Sequence, residues 1–423
     1  MAGGTAIGGL GFPTRLGVRR IGPVLGFLPA RNFPIMGSTM GRIPRVILLI
    51  ETSRQFGRGL LQGIGEFTRL YGPWTVYREP GGLPTRPPDM RRWRADGIIV
   101  RGEGIEPEEI MEMGLAAVFS LRRIEQVHGA PCIQVDAVAA GRLGAEHFLE
   151  RGFKHFGFCG FSDLYWSVER RTGFSARLAE AGFEAHLYER PEAVLPHSWS
   201  EEQASLVKWL KSLPKPVGIL ACSDYRGQHV IEGCRVAGLP VPEQVAVVGV
   251  CNDEIMCNLC DPPLSSIVLT VEKAGYEAAR VLDQMMAGQT VPANTIVKVE
   301  PTHVITRQST DVLAIDDRDV AEAVRFIREH CRDPIQVADV VAATSVSRRA
   351  LEQRFRKTMG HSINREIRRV RVGWVARILV ETNRTVAQIA MDLGYPGIDH
   401  IARYFRAEKG ISPVAYRRRH QSG

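Results

Sequence analysis

The chain has 423 residues, of which 44% are hydrophobic and 24% are charged, and its formal net charge is +8. This composition excludes a disordered or fibrous protein and allows about two to four globular domains. The longest apolar stretch, around residues 46–50, is far shorter than the roughly 20 residues that a membrane helix requires. Gly and Pro interrupt residues 1–39, so no secretory apolar region forms. We therefore expect a cytoplasmic protein with no membrane partner.

Residues 1–39 show no helical or strand periodicity and are rich in Gly. This pattern predicts a flexible N-terminal extension. Met40 directly precedes the first predicted strand, so a start codon assigned upstream of the true one would produce the same pattern.

Residues 40–307 alternate short β-rich runs with amphipathic helices. The predicted strands are 46–50, 97–100, 117–120, 156–159, 218–222 and 245–250, and the predicted helices are 57–70, 139–151, 168–181, 225–237 and 271–287. Such alternation is typical of βαβ units with a parallel sheet. Because roughly 270 residues exceed one comfortable sheet, we predict an α/β domain of two lobes with a ligand cleft between them.

The eight cysteines lie mostly in apolar runs, without the dense spacing of a secreted disulfide scaffold. Cys257 and Cys260, with Cys251 upstream, suggest zinc, but a fourth ligand at finger or ribbon spacing is missing. We favour reduced, buried thiols over a metal site, and we expect no cofactor.

The positive charge is local to the C-terminal quarter. Residues 314–423 contain 21 Lys and Arg against 13 Asp and Glu, and the rest of the chain contains 33 of each sign. A localised cationic segment suits the neutralisation of nucleic-acid phosphates, although a solvated charged surface would give the same count. The strand signals stop near residue 307, so we predict a linker over 308–319 and an all-α domain over 320–423.

This α domain contains two helix-turn-helix pairs, joined by a long amphipathic helix. The pairs are 337–344 with 348–359, and 386–393 with about 397–409; the joining helix is 363–381. Leu351 with Phe355, and Ile401 with Phe405, give the second helix of each pair an inward apolar stripe. The outward residues can address base edges in the major groove. The predicted DNA-binding residues are Arg348, Arg349, Glu352, Gln353, Arg356, Ile398, Asp399, Ala402, Arg403 and Arg406.

The C-terminal segment resembles the AraC-type DNA-binding domain over some 100 residues. The resemblance is carried by Gln388-Ile389-Ala390-Met391-Asp392-Leu393-Gly394-Tyr395, by Tyr404-Phe405-Arg406, and by Lys409-Gly410-Ile411-Ser412-Pro413-Val414-Ala415-Tyr416-Arg417. It implies double-stranded operator or promoter DNA as a partner, with RNA polymerase as a further possible one.

Residues 44–305 resemble the periplasmic-binding-protein-like effector domain of LacI-type repressors. The carrying residues include Val135-Asp136, Gly152-Phe153-Lys154-His155, Arg170-Arg171-Thr172-Gly173-Phe174, Ala221-Cys222-Ser223-Asp224 and Val241-Pro242-Glu243-Gln244-Val245. An effector domain of this type ahead of an AraC-type tail resembles the xylose operon regulatory protein family. The resemblance implies a sugar-responsive transcription regulator, an activator or a repressor, that forms a homodimer and senses D-xylose or a related sugar.

The resemblance also implies a ligand set. Arg170 matches the family's cleft arginine, and Asp224 matches the acid that follows a strand of the second lobe. The other candidates are residues just past strand ends and one stacking aromatic ring. The predicted ligand-binding residues are Ser53, Arg54, Trp166, Arg170, Asp224, Asn252 and Asp253. Cys251 stands where relatives commonly have Asp, which leaves another pentose or related sugar open.

Two rival functions are open to test. An AraC-type tail can accompany a methyl-accepting cysteine enzyme, but Pro131-Cys132-Ile133 lacks the Cys-His-Arg motif of that class, and no nucleophile triad, Walker loop or His-Glu-x-x-His motif occurs. We therefore predict a protein that is not an enzyme and has no catalytic residues. A sugar-binding protein for transport would be expected to carry an export signal and to lack a basic C-terminal segment. A regulator that responds to a different small ligand is the remaining alternative.

Overall fold

A computed structural model describes residues 42–78, 93–102, 106–121, 127–190 and 199–420, with the side chains of 199–201 left aside. The predicted flexible extension, residues 1–39, lies outside the described residues. No helix within these ranges is both long and apolar enough to cross a membrane.

Two six-stranded sheets form two lobes, which confirms the predicted two-lobed α/β class. The first sheet contains β1 (Arg45–Ile50), β2 (Thr75–Tyr77), β3 (Gly97–Arg101), β4 (Ala116–Phe119), β5 (Cys132–Val135) and β11 (Ile296–Val299), in the order β11-β5-β4-β3-β1-β2. The second contains β6 (His155–Phe161), β7 (Ala185–Arg190), β8 (Val217–Ala221), β9 (Val245–Val250), β10 (Ser265–Leu269) and β12 (Pro301–Ile305), in the order β12-β10-β9-β8-β6-β7. The strand pairs are parallel except β10 with β12. Central strands such as β9 are buried along their whole length, as parallel strands between helices must be.

Helices cover both sheets. They are α1 (Gln55–Tyr71), α2 (Pro107–Glu112), α3 (Ala137–Leu149), α4 (Tyr165–Glu180), α5 (Trp199–Ser212), α6 (Asp224–Ala237), α7 (Glu254–Leu259) and α8 (Val271–Met286). Helix α8 returns to the first lobe and packs on α1, while α3 and α4 pack together in the second lobe. The lobes are therefore interleaved in sequence.

Over the ranges that the structure describes, the chain crosses between the lobes at Asp136, Thr270 and Glu300. The crossings are hydrogen-bonded to one another: the Asp136 amide donates to the Val299 carbonyl at 2.8 Å, and the Thr270 amide donates to the Glu300 carbonyl at 2.9 Å. These three segments form a hinge, because the chain passes from lobe to lobe through them.

Helices α3 and α4 approach closely because each carries a glycine that faces the backbone of the other helix: Gly141 on α3 and Gly173 on α4. A Cβ atom on Gly173 would lie 2.0 Å from the Val138 carbonyl oxygen.

We expect Gly173→Ala to destabilise the effector domain by about 1–3 kcal/mol, since a backbone atom must shift to admit the methyl group. Urea unfolding followed by circular dichroism measures this. Gly65→Ala is the matched helical control, because nothing lies within 4 Å of its added Cβ among the described residues. Equal losses in both variants would contradict the close packing of α3 on α4.

Seven further helices follow within the described residues. They are α9 (Arg318–Glu329), α10 (Val337–Ala342), α11 (Arg348–Met359), α12 (Ile363–Glu381), α13 (Val386–Asp392), α14 (Ile398–Lys409) and α15 (Pro413–His420). Helices α10 and α11 form one predicted pair, and α13 and α14 form the other. The Ser347 side chain caps α11 by accepting from the Ala350 amide, and Gly360 ends that helix in the left-handed conformation. The side chains of Leu351, Phe355, Ile401 and Phe405 are fully buried, as their spacing indicates.

The residues expected to begin the linker are packed against the second lobe. A 3₁₀ turn, Gln308–Thr310, follows β12, and both Ser309 and Thr310 are buried. The Ser309 hydroxyl donates to the Val247 carbonyl at 2.6 Å, and Thr310 Oγ1 lies 2.9 Å from His147 Nε2. At the other end, Asp317 caps α9. The connection between the two domains is thus shorter than the linker predicted over 308–319.

Candidate functional site

A cavity of about 460 Å³ lies between the two lobes, where the carboxyl ends of the parallel strands meet. Six of the seven predicted ligand-binding residues line it: Ser53, Arg54, Trp166, Arg170, Asp224 and Asp253. The lining also includes Phe56, Arg101, Ser120, Leu121, Val135, Tyr165, Ser223, Tyr225, Val250, Cys251 and Met256. The wall therefore combines charged groups with aromatic and aliphatic surface.

Asn252 is the predicted residue that does not line the cavity. Its Oδ1 accepts from Arg307 Nη2 at 2.9 Å, and its amide donates to Ser266 Oγ at 2.9 Å. Cys251 and Asn252 both have positive φ, 106° and 49°, so the backbone turns sharply after β9. Asn252 therefore helps to hold the conformation of this loop through its hydrogen bonds with Arg307 and Ser266.

Asp224 begins α6 at the floor of the cavity and is buried. One of its oxygens accepts from the Ser266 hydroxyl, and the other accepts from the Asp253 amide at 2.7 Å. Burial raises the pKa of Asp224 to about 7, against the effect of these two hydrogen bonds. The helix cap is the neighbouring Ser223, whose side chain accepts from the Arg226 amide.

Asp253 joins the lobes across the cavity. Its Oδ2 lies 2.6 Å from Arg58 Nη2 and 3.2 Å from the Gln55 amide, both on the first-lobe helix α1. Its other oxygen, Oδ1, is buried and has no hydrogen-bond partner among the described residues. An unsatisfied buried acceptor of this kind suits a ligand hydroxyl or another donor.

Arg170 projects from α4 into the cavity and is buried. Its Nη1 donates to the Cys222 carbonyl, and its guanidinium lies 4.9 Å from the centre of the Trp166 ring. The pair presents a cation and an aromatic surface from one helix, since the two residues are four positions apart.

The sequence interpretation missed several wall residues, above all Arg101 and Phe56. The Arg101 guanidinium lies 3.9 Å from the centre of the Phe56 ring, and its Nη1 donates to Ser120 Oγ at 3.3 Å. Arg101 ends β3, so the rule that ligands meet strand ends could have found it. The ring centre of Tyr225 lies 5.7 Å from the Arg54 guanidinium. Tyr225 lies within helix α6 and not at a strand end, so that rule does not point to it.

All eight cysteines are free thiols. Burial raises the pKa of Cys260 to about 11 and raises the pKa of Cys251 as well. In the part of the chain that the structure describes, no three His, Cys, Asp or Glu side chains are grouped so as to hold a metal ion.

The second candidate site is the outer face of the C-terminal helices. On α11, Arg348, Arg349, Gln353 and Arg356 are exposed, and Glu352 is partly exposed with its Oε1 3.0 Å from Arg348 Nε. On α14, Ile398, Asp399, Arg403 and Arg406 are exposed, and Ala402 is partly exposed. Each set lies opposite its buried apolar stripe. Both helices therefore offer donors and acceptors to a partner.

The cationic C-terminal helix α15 faces the effector domain in part. Arg419 Nε donates to both carboxylate oxygens of Glu300 at 2.7 and 2.9 Å, and Arg417 Nε donates to the Leu379 carbonyl at 3.1 Å. Both arginines therefore hold groups of the protein itself. Lys357 and Arg418 remain exposed.

Two family matches cover parts of the two candidate sites. Residues 145–310 match the family described as "Periplasmic binding protein-like domain", and residues 340–419 match the family described as "Helix-turn-helix domain". The first match begins within α3 and includes most of the second lobe together with α8 and β11 of the first, and the second begins within α10 and includes the remaining helices of both helix-turn-helix pairs.

Whole-chain similarity follows the same order of domains. The chain is 29% identical to the "Xylose operon regulatory protein" of Haemophilus influenzae, over 88% of this chain and 98% of that protein. It is 28% identical to the Escherichia coli K12 protein of that name, over 88% and 96%. A solved "xylose-binding transcription activator xylR" superposes with a TM-score of 0.57 at 27% identity, covering 90% of this chain and 99% of that chain. In its order of domains, and along most of its length, the chain is therefore similar to proteins named as xylose operon regulatory proteins.

Proposed function

We propose that this chain is a sugar-responsive, DNA-binding transcription regulator of genes for the catabolism of a pentose of the D-xylose type. The observation that carries the proposal is the presence, in one chain, of a cleft with charged and aromatic side chains between two lobes and of two exposed helix-turn-helix faces. The similar proteins are named as regulators of a xylose operon and as a xylose-binding activator, which supports the same function. We assign no catalytic step to the cleft.

The cleft suits a monosaccharide. Its volume of about 460 Å³ lies in the range of small-molecule pockets, roughly 300–1,000 Å³. Arg54, Arg170 and Ser53 would donate to ring hydroxyls, and Asp253 Oδ1 would accept from one. Trp166 would stack on the apolar face of the sugar. Asp224 would position the loop that carries Asp253, because its carboxylate accepts a hydrogen bond from the Asp253 amide. Asn252 would support the same loop through Arg307.

The two exposed helix faces would read DNA. Helices α11 and α14 would enter successive turns of the major groove, about 34 Å apart. Arg and Gln on α11 address guanine and adenine edges, and the shorter polar set on α14 would read fewer bases. A homodimer would place four such helices on a tandem or palindromic site, and an activator bound there could contact RNA polymerase.

The hinge offers a physical link between the two sites. Glu300, at one of the three lobe crossings, holds Arg419 of α15, while Lys273 Nζ donates to the Arg419 carbonyl at 2.8 Å. Tyr416 of α15 donates from its hydroxyl to the Thr302 carbonyl at 3.3 Å. Closure of the lobes around a sugar would move these contacts and so shift the DNA-binding helices. Such linkage requires that the sugar bind one arrangement more tightly than the other.

A gel-shift titration tests the function. DNA fragments selected by the full chain from a random pool would be titrated with the protein, with and without a panel of pentoses and hexoses. We expect at least one sugar to change the affinity of the protein for DNA about tenfold, or to change which protein–DNA complexes form. Glu300→Gln should keep sugar binding, measured calorimetrically, and lose most of the change in DNA affinity. The absence of any sugar effect on DNA binding by the unaltered chain would refute ligand control.

A further inference from the structure

Arg58 lies where the two lobes meet at the cleft. It is on α1, three positions after the helix begins at Gln55. Its Nη1 donates to the Thr52 and Ser53 carbonyls, both at 3.0 Å, in the loop that follows β1 of the first lobe. Its Nη2 donates to Asp253 Oδ2 at 2.6 Å, in the loop that follows β9 of the second lobe. One guanidinium therefore joins two loops of opposite lobes, and both loops contribute residues to the cavity wall.

The ion pair of Arg58 with Asp253 is partly removed from water. The Asp253 side chain is 9% exposed and the Arg58 side chain is 30% exposed. Without Arg58, a closed cleft would leave a largely buried carboxylate without this cation, which is costly. Arginine suits the position because its planar fork can hold two carbonyls and a carboxylate in fixed directions at once, which lysine cannot. The pair therefore favours the closed arrangement of the lobes.

The Asp253 carboxylate also meets the N-terminus of α1. The Gln55 amide donates to Asp253 Oδ2 at 3.2 Å. Gln55 is the first residue of the helix, so its amide has no acceptor within the helix. The first turn of α1 contains no acidic residue, so the negative charge that a helix N-terminus favours comes from the opposite lobe. Both contacts of Oδ2 join protein atoms, so neither requires a sugar.

From these contacts we infer that Arg58 is a positioning residue of the effector site, and that its ion pair with Asp253 is a latch that holds the lobes closed in the sugar-free chain as well as around a sugar. The inference rests on the proposed function, because it describes how the same cleft is regulated. Asp253 Oδ1, which has no hydrogen-bond partner among the described residues, is left to accept from the sugar. A sugar enters only when the latch opens, and it then binds a cleft whose closure is already favoured. The latch therefore slows sugar association and strengthens sugar binding.

Hydrogen exchange of the sugar-free chain tests the latch. Asp253 is the acceptor that the structure gives the Gln55 amide, so the exchange rate of this amide reports contact between the lobes. We expect the Gln55 amide, resolved by fragmentation mass spectrometry, to exchange about tenfold or more faster in Arg58→Met than in the unaltered chain. Arg69→Met is the matched control, because Arg69 is exposed farther along α1 and donates there to the Gly65 carbonyl. Equal exchange of the Gln55 amide in all three chains overturns the latch.

Binding kinetics test the effect on the effector site. Stopped-flow fluorescence and calorimetry would follow D-xylose first, and then the other pentoses and hexoses of the panel. In Arg58→Met we expect the sugar to bind about tenfold or more weakly, while its association rate constant rises about threefold or more. A residue that only shaped the pocket would lower the affinity without speeding association. Unchanged affinity, or association that is no faster than in the unaltered chain, overturns the latch.

A variant at the other partner keeps both tests available if Arg58→Met does not fold. Asp253→Asn removes the charge that Arg58 holds and keeps an amide oxygen that can accept from the sugar. It should show the same faster exchange of the Gln55 amide and the same faster association of the sugar. Because both changes break one contact, the double variant should differ little from either single variant. Additive effects on the exchange rate would contradict a direct pair.

The exchange measurement uses neither sugar nor DNA, so it separates this inference from the proposed function. If the Gln55 amide exchanges faster in Arg58→Met and no sugar changes DNA affinity, the latch stands and the regulator function fails. If the exchange is unchanged and a sugar still changes DNA affinity, the regulator function stands and the latch is wrong. If both stand, sugar-free Arg58→Met should shift DNA affinity in the direction opposite to the sugar, because the variant opens the cleft that the sugar closes.

Discussion

The double variant Gln353→Ala, Arg356→Ala should lose promoter affinity by about 100-fold or more at fixed salt concentration. Both side chains are exposed on α11, one helical turn apart, on the side opposite the buried Leu351 and Phe355. A bidentate contact from Gln to adenine or from Arg to guanine contributes roughly 1–3 kcal/mol of discrimination, so two lost contacts account for the drop. Fluorescence anisotropy with a selected DNA fragment measures it.

The specificity of this loss distinguishes base contacts from general charge. Binding to random DNA should fall far less, because phosphate contacts supply most of the non-specific affinity. Arg280→Ala is the matched control, since Arg280 is exposed on α8 of the effector domain and pairs there with Glu277. An equal decline on selected and random DNA would argue against base reading by α11.

Replacing Glu366 with Gln should lower the stability of the C-terminal domain by about 3 kcal/mol at neutral pH. Glu366 is fully buried on α12, where it accepts from His361 Nε2 at 2.8 Å and from Arg369 Nε at 2.9 Å. Burial by itself would raise the pKa of Glu366, but these hydrogen bonds and the charges of Arg369 and Arg328 lower it to about 2. A fall from the ordinary value of 4.5 to about 2 corresponds to about 3 kcal/mol.

The same pair of chains should show a characteristic pH dependence. Because the folded-state pKa of Glu366 is below its unfolded value, its contribution is complete above about pH 5 and disappears as the pH falls toward 2. Calorimetry between pH 7 and pH 3 should therefore show the gap between the parent and Glu366→Gln narrowing as acid is added. Glu322→Gln, on the exposed face of α9, should change stability by less than about 0.5 kcal/mol. A gap that is constant with pH would show that the carboxylate charge is not the cause.

Glu366 also bears on how the domains hold together. Its partner Arg369 pairs with Glu150 at the end of α3 in the effector domain, and Arg328 Nη2 donates to the Glu150 carbonyl at 2.9 Å. The cluster thus fastens α9 and α12 to the second lobe. Loss of the Glu366 charge would leave Arg369 and Arg328 close together with less compensation, which adds to the expected destabilisation.

Much of the fold could be predicted from the sequence because its signals are local. The alternation of strands and helices, and the i, i+4 stripes of Leu351 with Phe355 and Ile401 with Phe405, each extend over a few residues and survive in the structure. Short or exposed elements escaped this approach. Strand β2 has only three residues, and β7 is partly exposed, so neither shows a clear apolar run.

The ligand cleft could be predicted only in part. Ser53, Arg54 and Asp253 follow strand ends, so position along the chain pointed to them, and they line the cavity. Their role in ligand binding stays a prediction. Asn252 follows the same strand, but the positive φ values at 251 and 252 turn it toward Arg307 instead. Neighbouring residues in a sharply turned loop face different surroundings, and periodicity carries no information on such a turn.

The sequence by itself determined the order of the domains, the class of each, and the apolar and polar faces of the C-terminal helices, since all of these depend on patterns a few residues long. Only the tertiary structure decided which distant groups meet. Arg58 and Asp253 are 195 residues apart, and Glu300 and Arg419 are 119 apart. The first pair bridges the cleft and the second joins the hinge to the DNA-binding domain. Such pairs form because packing of the lobes and helices brings their backbones together, and that packing is a property of the whole chain.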